Sequence, residues 1–229
     1  MQNNDQKQIA GAILIVGVLI AGAILLKDSK SPTVNAPVGP AVPTTTLAPV
    51  GTIDGNRIIG NPQAKVTLVL YEDFQCPFCG KFFKESEQNI REIYVKNGNV
   101  RLVYRDFAFL GPESIKASEA ARCADDQGKF WNYYDYLFTH QNGENQGAFS
   151  DPNLKSFAKV LGLDTNSFNK CLDDGKYTQA IANSKTEAGT AGVTGTPKGF
   201  ILKNGKVVDT IDGAIPFEIV KQKLDAALK

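Results

Sequence analysis

The sequence has few of the residues on which metal and hydrolase sites depend. Its 229 residues include one histidine, His140, one tryptophan, Trp131, and four cysteines. A single histidine excludes any metal site that needs several imidazole ligands. A Ser-His-Asp triad would have to use His140, and no G-x-S-x-G motif supports one. We therefore set aside multi-histidine metal enzymes and serine hydrolases.

The chain also lacks an excess of charge of either sign. It has 25 basic and 24 acidic residues, which gives a net charge of +1. Nucleic-acid-binding domains usually carry a clear positive excess, because phosphate contacts dominate their affinity. We therefore expect no nucleic-acid partner. The 42% of hydrophobic residues is typical of a globular protein, and the length predicts one or two domains.

Residues 9–26 contain no charged or polar side chain. As a helix these residues would span about 27 Å, close to the ~30 Å hydrocarbon core of a bilayer. They predict a transmembrane anchor, with residues 1–8 as a cytoplasmic N-terminus. The alternatives are a cleaved signal peptide, although no clear A-x-A site follows, and a buried core helix, although no partner pattern accompanies it. Lys7 precedes the run, whereas Lys27 and Lys30 follow it, so the lysine count taken alone slightly favours the opposite orientation.

Residues 27–51 are rich in proline, which removes amide donors and favours extended polyproline II structure. This composition predicts a semi-rigid linker between the anchor and a globular domain over residues 52–229. A proline-rich ligand for a recognition module is the alternative. The prolines are Pro32, Pro37, Pro40, Pro43 and Pro49.

The globular part begins with a strand, a helix and a second strand. Residues 66–71 are a nearly continuous apolar run of strand length, typical of a central strand buried on both faces. A helical stretch follows to about Tyr94, and residues 100–105 predict the second strand. Segments of these lengths favour a β-α-β unit.

Residues from about 112 to 191 have helical patterns and no convincing strand. Within them the aromatic stretch 130–138 has helical spacing, which indicates core packing rather than a ligand pocket. Strands resume at residues 199–202 and 207–211, separated by an Asn-Gly hairpin signal, and a last amphipathic helix covers 216–228. The order predicts an α/β fold, a mixed sheet with a helical insertion.

The chemistry is concentrated in Cys76-Pro77-Phe78-Cys79, which lies between the first strand and the helix. A cysteine at a helix N-terminus is stabilised as a thiolate, the nucleophile of disulfide exchange. A cysteine three residues later can reach its sulfur, and Pro77 fits the first helical turn. Half of a zinc site is an alternative, but the two other cysteines form no second close pair. A purely structural disulfide is a further alternative.

Three motifs, residues 73–79 (DFQCPFC), 128–131 (GKFW) and 195–197 (GTP), together resemble the DsbA-like thiol-disulfide oxidoreductases of the thioredoxin superfamily. The resemblance covers about residues 60–229 and is specific to the family. It implies a thioredoxin fold with a helical domain inserted before a cis-proline loop. It also implies an extracytoplasmic site of action, which decides the orientation of the anchor.

The resemblance assigns roles to matching residues. Cys76 resembles the exposed attacking cysteine and Cys79 the buried resolving one. Pro197 resembles the cis-proline that faces the dithiol, and the backbone of Thr196 would bind a substrate peptide. Many relatives carry a buried acid six residues before the first cysteine, but Leu70 stands there in this chain.

Three further residues stay open at this point. Glu72 and Asp73 lie near the position of that acid, but four and three residues before the first cysteine instead of six. Lys198, directly after the proline, either adds positive potential at the site or is simply solvated.

Cys123 and Cys171 need a separate account, because neither has a close partner in sequence. Two buried free thiols are one reading. In an oxidising compartment, with an even number of cysteines, a structural disulfide is the better one.

These observations predict a membrane-anchored oxidoreductase that oxidises substrate dithiols through the Cys76–Cys79 disulfide, without a metal or another cofactor. Its expected partners are reduced or unfolded proteins and a membrane protein that reoxidises the dithiol. The expected location is the outer face of the cell membrane. A reductase or isomerase is the alternative in the same class, and a peptide-binding or copper-binding thiol module is the rival from another class.

Overall fold

The computed structural model describes residues 57–229. The predicted cytoplasmic N-terminus (1–8), anchor (9–26) and linker (27–51) lie outside the described residues. Among the helices of residues 57–229, none has the length and apolar character required to cross a membrane.

In the described part of the chain, five strands form one mixed sheet in the order β1-β3-β2-β4-β5. β2 and β3 are parallel, and the other neighbouring pairs are antiparallel. Every residue of β2 is buried, as the apolar run predicted for a central strand. The strands are β1 Ile58–Ile59, β2 Val66–Glu72, β3 Val100–Asp106, β4 Lys198–Lys203 and β5 Lys206–Asp212. The two-residue β1 was not predicted, because so short a segment shows no periodicity.

β4 and β5 meet at a hairpin turn formed by Asn204 and Gly205. Both residues have positive φ, 50° and 79°, which suits the turn type that Asn-Gly favours. The sequence signal for this hairpin is confirmed.

A long helical run, α1, connects β2 to β3 over residues 77–95. It begins as an α-helix over Pro77–Phe82 and returns to that form over Gln88–Ile90. It widens to π-helical hydrogen bonding over Phe83–Glu87 and Arg91–Val95. Such widened turns are rare and often accompany functional residues.

The predicted helical insertion is present. Within the described residues 112–190, five helices follow one another: α2 Pro112–Asp125, α3 Phe130–Thr139, α4 Asp151–Val160, α5 Thr165–Asp173 and α6 Thr178–Thr190. The final helix, α7, covers Phe217–Leu228. α6 was not singled out from the sequence, since its sides differ little in polarity and it buries only Ile181 and Ala188.

The aromatic stretch of α3 lies in the core, as its spacing predicted. Phe130, Tyr133, Tyr134, Leu137 and Phe138 are all buried, and they pack in one cluster with both active-motif cysteines. The insertion is therefore attached to the sheet through the same core that holds the dithiol.

Candidate active site

Cys76 occupies the N-cap position of α1, although its side chain makes no capping hydrogen bond, and Pro77 lies in the first helical turn. Cys76 and Cys79 are free thiols and are buried, so the structure represents the reduced state of the pair. Phe78 between them is 63% exposed. The motif therefore presents an aromatic side chain to solvent directly beside two shielded sulfur atoms.

The loop before β4 brings Thr196 and Pro197 to the cysteines. The Thr196–Pro197 peptide bond is cis. The thiol of Cys76 donates a hydrogen bond to the carbonyl oxygen of Thr196 at 3.4 Å, across 120 positions of sequence. The residues that the resemblance assigned to attack and to substrate binding thus lie side by side.

The loop also borders a shallow cleft of about 230 Å³ whose lining includes Thr194, Thr196 and Lys198. Lys198 is not simply solvated. Its ammonium group forms an ion pair with Asp212 and lies 5.3 Å from the ring centroid of Phe200.

The two thiols differ strongly in acidity. The pKa of Cys76 is lowered to about 6, chiefly by a hydrogen bond from Cys79, with further help from Thr196 and from backbone amides at the helix start. The pKa of Cys79 is raised well above its ordinary value, first because the thiol is buried and second because of its hydrogen bond with Cys76. At neutral pH the pair is a thiolate beside a thiol, which suits Cys76 to nucleophilic attack and Cys79 to a protected resolving role.

Asp73 connects the segment before Cys76 to the start of the insertion. Its Oδ1 accepts hydrogen bonds from the backbone amide of Gln75 at 2.8 Å and from the Ser114 hydroxyl at 2.6 Å. Its Oδ2 accepts from the backbone amides of Phe109 at 2.8 Å and Leu110 at 3.1 Å. The carboxylate is fully buried and both oxygens are used by donors, so it serves to hold the loops together.

Gln141, just beyond α3, also bonds to the segment around Cys76. Its side-chain amide nitrogen donates to the carbonyl oxygens of Phe74 at 2.6 Å and Cys76 at 3.1 Å. Gly80 permits this approach, because a Cβ there would lie only 2.0 Å from Oε1 of Gln141. Nothing in the sequence marked Gln141, since its role depends on a contact between distant segments.

Glu72 is the buried acid of the site. Leu70, at the position where the family often has an acid, is an ordinary core residue. Glu72 is fully buried at the end of β2, and the hydroxyl of Tyr134 lies 2.5 Å from its Oε2. Burial, reinforced by the charge of Glu87, raises the pKa of Glu72 well above its ordinary value. The charge of Glu72 in turn raises the pKa of Cys79.

The two remaining cysteines belong to the helical insertion. Cys123 of α2 and Cys171 of α5 form a disulfide bond that closes 48 positions of sequence. They link two helices of the insertion, which is a structural role. In residues 57–229, no group of three or more His, Cys, Asp or Glu side chains is placed to hold a metal ion.

The chain is similar in sequence and in fold to several known proteins. Residues 52–226 match the thioredoxin family. A Na(+)/H(+) antiporter NhaA 1 of Salinispora arenicola is 35% identical over 155 residues; the match covers 67% of this chain but only 22% of that protein. A probable disulfide bond formation protein D of Bacillus cereus is 25% identical over 75% of this chain and 78% of its own. The crystal structure of oxidised BdbD from Bacillus subtilis superposes with a TM-score of 0.68 at 22% identity, over 77% of this chain and 95% of that one.

The fold and the paired thiols define a thioredoxin-fold protein with a redox-capable dithiol at a strand-to-helix junction. The chain belongs to the thioredoxin family.

Proposed function

We propose that this protein oxidises pairs of cysteines in substrate proteins by disulfide exchange through Cys76 and Cys79. The observation that carries the proposal is the difference in acidity between the two thiols. A low pKa at Cys76 stabilises the reduced form of the site as a thiolate. A dithiol whose reduced form is stabilised has an oxidising disulfide, because the disulfide gains stability when it takes up electrons.

The exchange proceeds in two steps. In the oxidised protein, a substrate thiolate attacks Sγ of Cys76; a mixed disulfide forms, the Cys76–Cys79 bond breaks, and Cys79 leaves as a thiolate that takes up a proton. The second substrate thiolate then attacks its partner sulfur in the mixed disulfide. Cys76 leaves as a thiolate, the substrate has gained a disulfide, and the protein has gained two electrons. The reverse sequence with a membrane redox partner would restore the Cys76–Cys79 bond.

Substrate selection fits an unfolded chain. The backbone of Thr196 lies beside the reactive sulfur and can pair with an extended peptide by strand addition. Phe78 offers exposed aromatic surface next to the same sulfur. Backbone pairing and one apolar contact are available to many sequences, so this site suits reduced or unfolded proteins in general.

The test is oxidation of a reduced, unfolded protein that regains activity only when its disulfides form. The oxidised wild type should restore activity, and Cys76→Ser should not. Equilibration with glutathione should give a reduction potential nearer to about −120 mV than to about −270 mV, the values of DsbA and thioredoxin. A potential near the second value would indicate a reductase. Failure to exchange any disulfide would indicate a binding module.

We also propose that residues 9–26 anchor the domain at the outer face of the cell membrane. Support comes from the uncharged 18-residue run in the sequence and from the Cys123–Cys171 disulfide, a type of bond that persists in oxidising compartments. Protease added to intact spheroplasts should digest the domain while a cytoplasmic marker survives. Protection of the domain until lysis would refute this location.

A further inference from the structure

Two backbone carbonyl groups beside the reactive sulfur bond to one side-chain amide, that of Gln141. Its Nε2 donates to the carbonyl oxygens of Phe74 at 2.6 Å and Cys76 at 3.1 Å. The Cys76 carbonyl also accepts a hydrogen bond from the backbone amide of Gly80 at 3.1 Å, as expected of an N-cap residue. A carbonyl oxygen has two lone pairs, so the helix uses one and Gln141 uses the other.

The Cys76 carbonyl belongs to the peptide group that joins Cys76 to α1. The residue on the other side of this group is Pro77, whose ring fixes φ. The orientation of the helix start relative to the Cys76 side chain therefore depends on ψ of Cys76, which is 119°. A hydrogen bond to the Cys76 carbonyl restrains this torsion angle directly.

The helix start in turn acts on the sulfur. The largest cause of the lowered pKa of Cys76 is the hydrogen bond from Cys79; the contact with Thr196 and the backbone amides of Cys79 and Phe78 lower it further. Those two amides lie in the first turn of α1. Because the strength of such a contact falls steeply with misalignment, their effect on the sulfur depends on how that turn is oriented.

The end of α3 holds Gln141 in place. His140, the C-cap residue, stacks on the ring of Tyr136 with the centroids 3.8 Å apart, and its Nδ1 lies 2.8 Å from the Tyr136 carbonyl oxygen. These contacts fix the direction in which the chain leaves the helix. Four positions after Gln141, the backbone amide of Asn145 donates to Oε1 of Gln75 at 2.5 Å. The same loop thus also holds the residue before Cys76.

Resting on the function proposed above, we propose that Gln141 is a positioning residue, which orients the Cys76–Pro77 peptide group so that the first amides of α1 face the sulfur of Cys76. It acts on the exchange reaction through the backbone. The helical insertion therefore contributes to the oxidising strength of the dithiol, because a better stabilised thiolate favours the reduced form of the site.

The test variant is Gln141→Met, which keeps an unbranched side chain of similar length but has no donor. The rate at which iodoacetamide labels wild-type Cys76 should be half of its maximum at about pH 6. In the variant, this midpoint should lie about one unit higher, because the thiolate loses about ten-fold of its stabilisation.

A second readout of the same variant is the equilibrium with glutathione. At about pH 8, above both midpoints, the equilibrium should shift about ten-fold toward the protein disulfide, a reduction potential about 30 mV more negative. The sign follows because the variant stabilises its reduced form less than the wild type does.

The matched control is Gln127→Met. Gln127 also joins distant segments, since its Nε2 donates to the Asp164 carbonyl at 3.1 Å and its Oε1 accepts from the Asp164 amide at 2.8 Å. The control should lose stability but keep the wild-type midpoint and potential.

Gly80→Ala reaches the same contact from the helix and serves if Gln141→Met does not fold. The new Cβ would lie 2.0 Å from Oε1 of Gln141 and displace it. The midpoint should rise as in Gln141→Met. In the Gln141→Met background, Gly80→Ala should cause no further rise, because the contact is already lost.

A midpoint in Gln141→Met within about 0.3 units of the wild type, a two-fold effect, would overturn the positioning role. An equal shift in Gln127→Met would also overturn it, because the shift would then reflect a general loss of stability. A wild type that labels as expected at about pH 6 but oxidises no reduced protein would refute the proposed function alone.

Discussion

Removal of the Cys123–Cys171 disulfide should cost stability and leave the chemistry intact. The bond joins residues 48 positions apart. For a loop of this length, the chain-entropy relation predicts a stabilisation of about 4 kcal/mol at 25 °C, because the bond restricts the unfolded chain. The bond lies within the insertion, so the exchange rate at Cys76 should not change. The variant is Cys123→Ala with Cys171→Ala.

The measurement is urea unfolding followed by the fluorescence of Trp131, the only tryptophan in the chain. Both proteins should carry Cys76→Ser and Cys79→Ser, so that the insertion disulfide is the only bond that differs. Adding a reductant should destabilise the parent by the same amount and leave the alanine variant unchanged. A difference below about 1 kcal/mol, the size of an average substitution, would refute the reasoning.

Three further predictions concern the turn that holds the dithiol. In the reduced protein, the rate at which iodoacetamide labels Cys76 should be half of its maximum at about pH 6, where half of the thiolate is protonated. Cys79 should react only after the protein unfolds. Equal labelling of both cysteines, seen by peptide mapping, would contradict this. Asp73→Asn should lower the free energy of unfolding by about 2–3 kcal/mol in urea, since an amide nitrogen would face backbone donors; an unchanged midpoint would contradict it. Gly80→Ala should lower the free energy of unfolding of the wild type, because the new Cβ displaces Gln141. In a Gln141→Ala background, the same substitution should raise the free energy of unfolding by up to about 1 kcal/mol, since alanine favours the helix. A change of the same sign in both backgrounds would disprove the contact.

The sequence by itself determined the features that depend on neighbouring residues. A cysteine before proline at the end of an apolar strand determines a capped helix start, and Asn204-Gly205 determines a hairpin, because both follow from backbone preferences over a few positions. The period of apolar residues likewise determined that residues 112–191 are helical and that the aromatic stretch 130–138 is core. The motif residues then indicated the family, and through it the pairing of Thr196 and Pro197 with the cysteines.

Only the tertiary structure decided which polar groups meet inside. Periodicity reports which side of an element is buried, but it does not report which side chain lies opposite. Glu72 and Asp73 are adjacent in sequence and equally buried, yet Asp73 accepts hydrogen bonds from four donors, whereas Glu72 bonds to the hydroxyl of Tyr134. The contact of the Cys76 thiol with the carbonyl oxygen of Thr196, 120 positions away, likewise could not be read from the sequence pattern. Such contacts between distant segments exist only once the sheet and the insertion have packed together.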